Sequence, residues 1–310
     1  MKKNIYPLNP TLGVVIPTKN RPDDLVRAVV SVIEQSRRPD EIIIIDQSKF
    51  DSAKGLVDKL LKSYQDIKQI YILNEWLSGL TAAKNLATSI SRSDILLFID
   101  DDIVLEPDFI SLILDVYIKY PDLSGVGGQI KLPNGRSSVL RRLIATFFQI
   151  GIFRDKRALL QAGYFNSFEM VPTRILSGGL SSLRRNVFNI IKFDEQLLGA
   201  SPIEDIDFYF SASKKFKFAL APKACALHNV SMVNRSGLKK TFELKCFGFC
   251  YIFLKYAKKS PFNVFAFLWR NVGMFFDAVL QVLKYKSLDP LLGLVKAWED
   301  FLVKKYEKII

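Results

Sequence analysis

A chain of 310 residues, 49% hydrophobic and 24% charged, can bury a substantial core, which excludes a disordered tail or a small disulfide-dependent scaffold. Its formal charge of +13, 44 basic against 31 acidic residues, favours an anionic partner: nucleic acid, an anionic membrane surface or a phosphorylated substrate. Cys225, Cys246 and Cys250 form no CxxC pair, so neither a disulfide framework nor a zinc site is expected, and a reducing cytosol fits best.

The N-terminal apolar stretch "LGVVI" is too short for a signal-peptide core and ends at Pro17, so a mature cytosolic N-terminus is expected. "LGVVI" (12–16), "EIIII" (41–45), "QIYIL" (69–73) and "DILLFI" (94–99) read as strands with few polar interruptions, as when helices cover both faces of a sheet. "PDDLVRAVVSVIEQS" (22–36) reads as a crossover helix. It has Pro22 near its start, Asp23 and Asp24 in the first turn, and Leu25, Val29, Val32 and Ile33 at helical spacing. "SGLTAAKNLATSISR" (78–92) and "PDFISLILDVYIKY" (107–120) read as two more helices. This alternation predicts an α/β domain around a mostly parallel sheet.

Residues 133–173 break the pattern with a basic, aromatic segment, read as an insertion or an acceptor-side element of a catalytic domain at 1–235. "RILSGGLSSLRR" (174–185), a short helix, "SPIEDIDFYFSASKK" (201–215) and the strand "KFALA" (217–221) then resume it. Residues 236–310 hold thirteen Lys/Arg against six Asp/Glu, with ten Phe and two Trp, and predict a helical appendage. Within it, "PFNVFAFLWRNVGMFFDAVLQVLK" (261–284) is long enough for a transmembrane span, but Arg270 and Asp277 argue against one. Asn263, Arg270, Asp277 and Lys284, spaced by seven, form one narrow polar stripe. The segment is expected either to pack on the domain or to lie in a membrane interface, assisted by Lys239, Lys240, Lys255, Lys258 and Lys259.

The densest chemistry is "LLFIDDDIVLEPDFI" (96–110). Asp100 and Asp102 lie two apart at the end of a strand, so they can share a ligand while Asp101 points elsewhere. A divalent cation relieves such repulsion, and Mg²⁺ or Mn²⁺ is commonly held by one or two carboxylates with substrate phosphates. Helix capping is the simpler alternative, one that Glu106 and Asp108 fill more naturally.

"VVIPTKNRPDDLVRAVVSVIEQSRRPDEIIIIDQS", "GLTAAKNLA", "LLFIDDDIVLEPDFI", "SGGLSSLRRNVF" and "FDEQLLGASPIEDIDF" follow the motif order of family 2 glycosyltransferases, a resemblance spanning about residues 11 to 230. The resemblance implies a GT-A, nucleotide-diphospho-sugar transferase fold, inverting transfer of a sugar, a hexose being the expected class, and Mg²⁺ or Mn²⁺ as cofactor. It makes Asp100 and Asp102 the DxD pair, with Asp102 toward the metal and Asp100 toward the ribose or uridine side of the donor. Pro17, Thr18 and Asn20 would line the nucleotide pocket. Asp46 would contact the base, although "IDQS" is shorter than the usual Asp-Asp-Gly-Ser and leaves its alignment ambiguous. Lys84 stands where an Arg near the diphosphate often stands, with a solvated helix lysine as the alternative. His228, the one histidine of the chain, matches a His that coordinates the metal or diphosphate.

In "SPIEDID", Ser201, Pro202 and Glu204 satisfy a capping-box pattern, so Glu204 is expected either to bond back to its helix start or to lie on the acceptor side. Asp205 is the choice for the general base that an inverting displacement needs, and Asp207 is read as structural or solvated. Gly178 and Gly179 could let backbone approach the acceptor or donor sugar, with tight strand packing as the alternative. The expected partners are a nucleotide-diphosphate sugar, a glycan or lipid-linked acceptor and an anionic membrane surface at the cytosolic face; no nucleic acid is expected. The tail "LDPLLGLVKAWEDFL" also resembles those of family members that act on lipid-linked polysaccharide precursors. A sugar-phosphate nucleotidyltransferase is one rival, although "IPTKNRP" lacks the expected glycine-rich loop; a non-catalytic membrane or nucleic-acid binding protein is the other.

Overall fold

The computed structural model describes residues 7, 9–49, 52–77, 79–131, 146–155, 157, 165–195, 197, 203–229, 231, 237–257 and 260–303. Nine strands form one sheet: β1 (Leu12–Thr18), β2 (Glu41–Asp46), β3 (Lys68–Leu73), β4 (Ile95–Ile99), β5 (Ile103–Leu105), β6 (Gly125–Lys131), β7 (Val171–Thr173), β8 (Leu180–Arg184) and β9 (Phe218–His228). Their spatial order is β3-β2-β1-β4-β8-β6-β9-β5, with β7 also on β9. The β3-β2-β1-β4 half is parallel, as helical crossovers require, while β8 enters antiparallel to both β4 and β6. Segment 174–185 thus delivers a fully buried strand beside β4.

The helices are α1 (Pro22–Ile33), α2 (Ser52–Leu61), α3 (Leu80–Ile90), α4 (Phe109–Lys119), α5 (Glu204–Ala212), α6 (Leu238–Tyr256), α7 (Pro261–Tyr285) and α8 (Asp289–Leu302). The apolar strands alternate between two cores with the period of an extended chain. Val14, Ile16, Ile42, Ile44, Leu97 and Ile99 join Leu25, Val29 and Val32 of α1 on one face. Val15, Ile43, Ile45, Leu96 and Phe98 join Ala83 and Ala87 of α3 with Phe208 of α5 on the other. Each such side chain contributes about 1.5–3 kcal/mol on burial. Both faces are therefore covered, which is why these strands read as continuous apolar runs.

The C-terminal helices build a third core. Phe242, Cys246, Cys250 and Ile252 of α6 meet Ala266, Phe267 and Met274 of α7 and Leu294 and Ala297 of α8, and Phe153, Leu197 and Ile203 from the preceding chain close it. Gly293 permits the α6–α8 contact, because a Cβ there would lie 2.1 Å from the Lys239 carbonyl oxygen. All three cysteines are free thiols buried in the protein. Of the 133–173 segment, the described parts include a 3-10 turn at Gly151–Phe153 and strand β7.

Candidate active site

Parallel strands β1, β2 and β4 end together, and the loops beyond their carboxyl ends gather the acidic residues. Ile99 pairs with Leu180, and the Asp100 amide donates to the Gly179 carbonyl at 3.1 Å, so the first aspartate lies directly over the Gly178–Gly179 turn. A Cβ on Gly179 would lie 2.0 Å from Asp100 Oδ2, and one on Gly178 would lie 2.3 Å from Glu204 Oε1. Carboxylates therefore occupy the space these glycines leave. Burial pushes the Asp100 carboxyl up, against the nearby Lys84 charge.

Asp101 has a specific task. Its Oδ2 accepts from Thr18 Oγ1 at 2.7 Å and its Oδ1 from Arg21 Nη1 at 2.9 Å, which ties the β4 loop to the end of β1. Burial pushes Asp101 up to about 6 despite those two partners. Arg21 was not among the expected residues, although its place three positions after Thr18 in "TKNR" was a usable signal.

The short antiparallel pair of β5 with β9 sets Ile103 opposite His228. This register brings His228 Nε2 to 3.1 Å from Asp102 Oδ1, while the Ser231 amide donates to Asp102 Oδ2 at 3.2 Å. Burial opposes ionisation of Asp102, but the His228 contact, the Ser231 amide and Arg21 hold it below the usual carboxylate range. Among the described residues no three His, Cys, Asp or Glu side chains converge into a cage. Asp102 and His228, with Asp100 beside them, offer the sparse donor set suited to a hard cation completed by phosphate and water oxygens.

Asp46 is fully buried at the end of β2, where the Tyr71 hydroxyl and the Ser48 amide donate to its two oxygens. Pro17 and Thr18 lie opposite Ile45 and Asp46, and exposed Asn20 adopts a left-handed φ of 54° while its amide donates to Ser48 Oγ. These four residues thus line one end of the carboxyl edge.

On the other side of Asp100, Lys84 is fully buried, not a solvated helix lysine. It donates to Glu204 Oε1 at 2.8 Å and to the Gly178 carbonyl at 3.0 Å, and lies 5.2 Å from the Phe193 ring centroid. Glu204 opens α5, and its carboxylate turns to Lys84 instead of back to the helix start; Ser201 and Pro202 of the expected capping box lie outside the described residues. Burial pushes the Glu204 carboxyl up, Lys84 opposes this, and Asp205 adds to it.

Asp205 Oδ2 accepts from the Gly178 amide at 3.3 Å and from Arg157 Nη1 at 2.6 Å. Arg157, from the "RDKR" run of the irregular segment, was missed because nothing in the local spacing links it to a residue 48 positions on. Asp207 is structural: buried, it pairs with Lys255 of α6 at 2.8 Å and accepts from the Tyr256 hydroxyl at 2.7 Å.

Residues 13–189 match Glycosyl transferase family 2. The chain belongs to this family. Among curated relatives, the glucosyl-dolichyl phosphate glucuronosyltransferase of Haloferax volcanii is 27% identical over 111 residues, 36% of this chain and 34% of that protein. The GalNAc(5)-diNAcBac-PP-undecaprenol beta-1,3-glucosyltransferase of Campylobacter jejuni is 34% identical over 94 residues, 30% of each chain. The similarity thus spans about a third of the length of these relatives. Among solved structures, a mannosyltransferase from Pyrobaculum calidifontis, in complex with GDP-Man and Mn²⁺, superposes with a TM-score of 0.63 at 14% identity, over 97% of this chain and 89% of that one. S. aureus TarS residues 1–349 give 0.58 at 16% identity, over 96% and 82%. This family 2 member therefore has the GT-A fold, with the helical segment appended at its C-terminal end.

Proposed function

We propose that this family 2 member is an inverting glycosyltransferase that moves a hexose from a nucleoside-diphosphate sugar to a hydroxyl of a glycan or lipid-linked acceptor at the cytosolic face of a membrane. The observation that carries this reading is the arrangement at the carboxyl edge. Asp102 with His228 stands on one side of Asp100, and Asp205 stands on the other over the Gly178–Gly179 turn. The named activities of the curated relatives and the GDP-Man and Mn²⁺ of the Pyrobaculum complex support it.

On this reading Asp102 and His228 would hold Mg²⁺ or Mn²⁺, and the bound cation supplies charge stabilisation for the leaving diphosphate. Pro17, Thr18, Asn20 and Asp46 form the nucleoside end of the donor site, with Asp100 turned to the ribose. Lys84 adds positive charge beneath the donor and neutralises Glu204, which leaves Asp205 to serve as the base. Asp205 takes the proton from the acceptor hydroxyl as that oxygen forms its bond to the anomeric carbon and the diphosphate departs from the opposite face. Residues 1–235 form the catalytic domain, with 133–173 on the acceptor side, and 236–310 form the appendage.

The reading is tested with a panel of nucleotide sugars, scoring thermal stabilisation and donor hydrolysis with and without Mn²⁺. One or a few donors should stabilise the protein only with the metal. A panel that produces neither stabilisation nor hydrolysis overturns the assignment.

A further inference from the structure

The polar stripe of α7 faces the protein, and its apolar stripe faces outward. Arg270, Asn271, Asp277 and Gln281 are all buried. Arg270 lies 4.2 Å from the Phe249 ring centroid, Asp277 pairs with Lys245 at 3.1 Å, and Asn271 donates to the Phe267 carbonyl at 2.8 Å. Burial pulls the Arg270 guanidinium down to about 10, and its Nε finds no hydrogen-bond partner among the described residues. A helix that only completes a soluble core orients the other way, with charge outside. Here Phe262, Phe265, Leu268, Val272, Phe275 and Leu283 are exposed, Phe265 by 53% and Leu283 by 70%.

Neighbouring elements extend the same exposed character. On α8, Leu292, Val295 and Leu302 follow helical spacing and stay exposed. Phe147 is 62% exposed and packs edge-on against Trp269, whose indole donates to the Phe147 carbonyl. Basic residues border the stripe: Lys284 and Lys286 are exposed at the C-terminal end of α7.

We propose that this outward face of α7, continued by α8 and Phe147, docks in the headgroup and acyl boundary of an anionic bilayer. Charge selects the occupant. A second copy would bring together two chains of formal charge +13 with basic side chains at the contact, whereas an anionic lipid surface attracts them. Lying in the interface also fits better than spanning. Although α7 has the length and hydropathy of a span, crossing a bilayer would strip Arg270 and Asp277 from Phe249 and Lys245 and place both charges in hydrocarbon. This inference deepens the membrane side of the proposed function. Its test uses neither donor nor acceptor, so its failure leaves the transfer reading standing.

The experiment is co-sedimentation of the full chain with vesicles of equal parts phosphatidylglycerol and phosphatidylcholine, and with phosphatidylcholine alone. The protein should bind the anionic vesicles, less at high salt, and bind the neutral ones weakly. The triple variant Phe265→Ser/Phe275→Ser/Leu283→Ser should lose about tenfold or more in vesicle affinity. Leu56→Ser, an exposed apolar site on α2, should behave as the parent. Should the triple variant fail to fold, Lys284→Glu/Lys286→Glu decides through the electrostatic part, with a several-fold loss at low salt expected. Parent-like binding by a folded triple variant, or by the lysine variant in that case, overturns the proposal. So does a parent that ignores anionic vesicles, or one whose apolar face is covered in a dimer that the triple variant dissociates.

Discussion

Arg157 Nη1 lies 2.6 Å from Asp205 Oδ2, and the other side of the same guanidinium is held by Asp155 at 2.9 Å. Burial works against the Arg157 charge, but the two carboxylates more than compensate and raise its pKa. A third contact, to the Leu176 carbonyl at 3.1 Å, fixes the fork beside the Gly178 turn. The planar guanidinium thus sets where the Asp205 carboxylate points, a geometry an ammonium cannot copy. As a positioning residue, Arg157 should affect turnover more than donor binding. Arg157→Ala is expected to lower kcat by about 10–100-fold with donor affinity retained, on the scale seen when groups that orient a reacting residue are lost. Arg157→Lys should recover part of the loss. Steady-state kinetics with donor titration separates the two quantities, and a matched fall in both would make the pair purely structural.

Asp205→Asn keeps the shape of the side chain and some hydrogen bonding to Gly178 but cannot accept a proton. Transfer should fall by about 10²–10⁴-fold, the usual cost of losing a general base. Donor affinity, measured alongside, should scarcely change. If neither quantity falls, Glu204 becomes the leading candidate, since burial pushes its carboxyl up into a range where it can accept a proton.

Asp102→Asn removes one negative charge while leaving an oxygen facing His228 Nε2. Donor binding in the presence of Mn²⁺ should weaken about tenfold or more, on the scale of lost groups around a metal site. Metal-independent binding, already weak, should change little. Calorimetric titration with and without Mn²⁺ checks this, and equal affinities for parent and variant would remove Asp102 from the metal site.

Where the sequence was legible, one physical pattern repeated over many residues. The apolar runs of β1, β2 and β4 reported burial on both faces, and the Asp100–Asp102 triplet reported a strand end facing a ligand. His228 was placed by the same reasoning, as a residue closing the last strand. Pairings between distant segments were illegible. Arg21 with Asp101 and Arg157 with Asp205 join residues 80 and 48 positions apart, with no periodicity to connect them. The heptad spacing of Arg270 and Asp277 defined a polar stripe but not its direction, because α6 and α8 decide which side of α7 is covered. The insertion of β8 between β4 and β6 escaped for a related reason: strand order is a property of contacts, not of local composition.

Gly179→Ala tests how tightly the glycine turn holds the first aspartate. The added methyl would meet the whole Asp100 carboxylate, with Oδ2 at 2.0 Å and Cγ at 2.3 Å, so one of them must move. Overpacking of this kind costs about 1–3 kcal/mol. Because Asp100 is the group displaced, donor affinity should fall along with thermal stability. A variant that is destabilised but binds donor normally would separate Asp100 from the donor site.

Far from the site, Glu41 should give the chain a distinct acid sensitivity. It is only 3% exposed at the start of β2, where its Oε1 accepts from Lys68 at 2.6 Å and its Oε2 from the Ser91 and Ser93 hydroxyls. Burial opposes the charge, but Lys68 and the two serines outweigh it and lower the pKa from 4.5. The folded chain therefore binds this proton less readily than the unfolded chain. The resulting stabilisation is fully present above the ordinary glutamate value and is lost as pH falls through the lower folded value. Hydrogen bonds to a charged group contribute about 1.5–3 kcal/mol, and because Lys68 is half exposed the lower end applies. Glu41→Gln should accordingly lower Tm at pH 7, with the gap to the parent narrowing as the buffer is taken below the glutamate range. Thermal melts of both proteins across that series check it; a gap that stays constant with pH would mean that the loss comes from packing and not from the carboxylate.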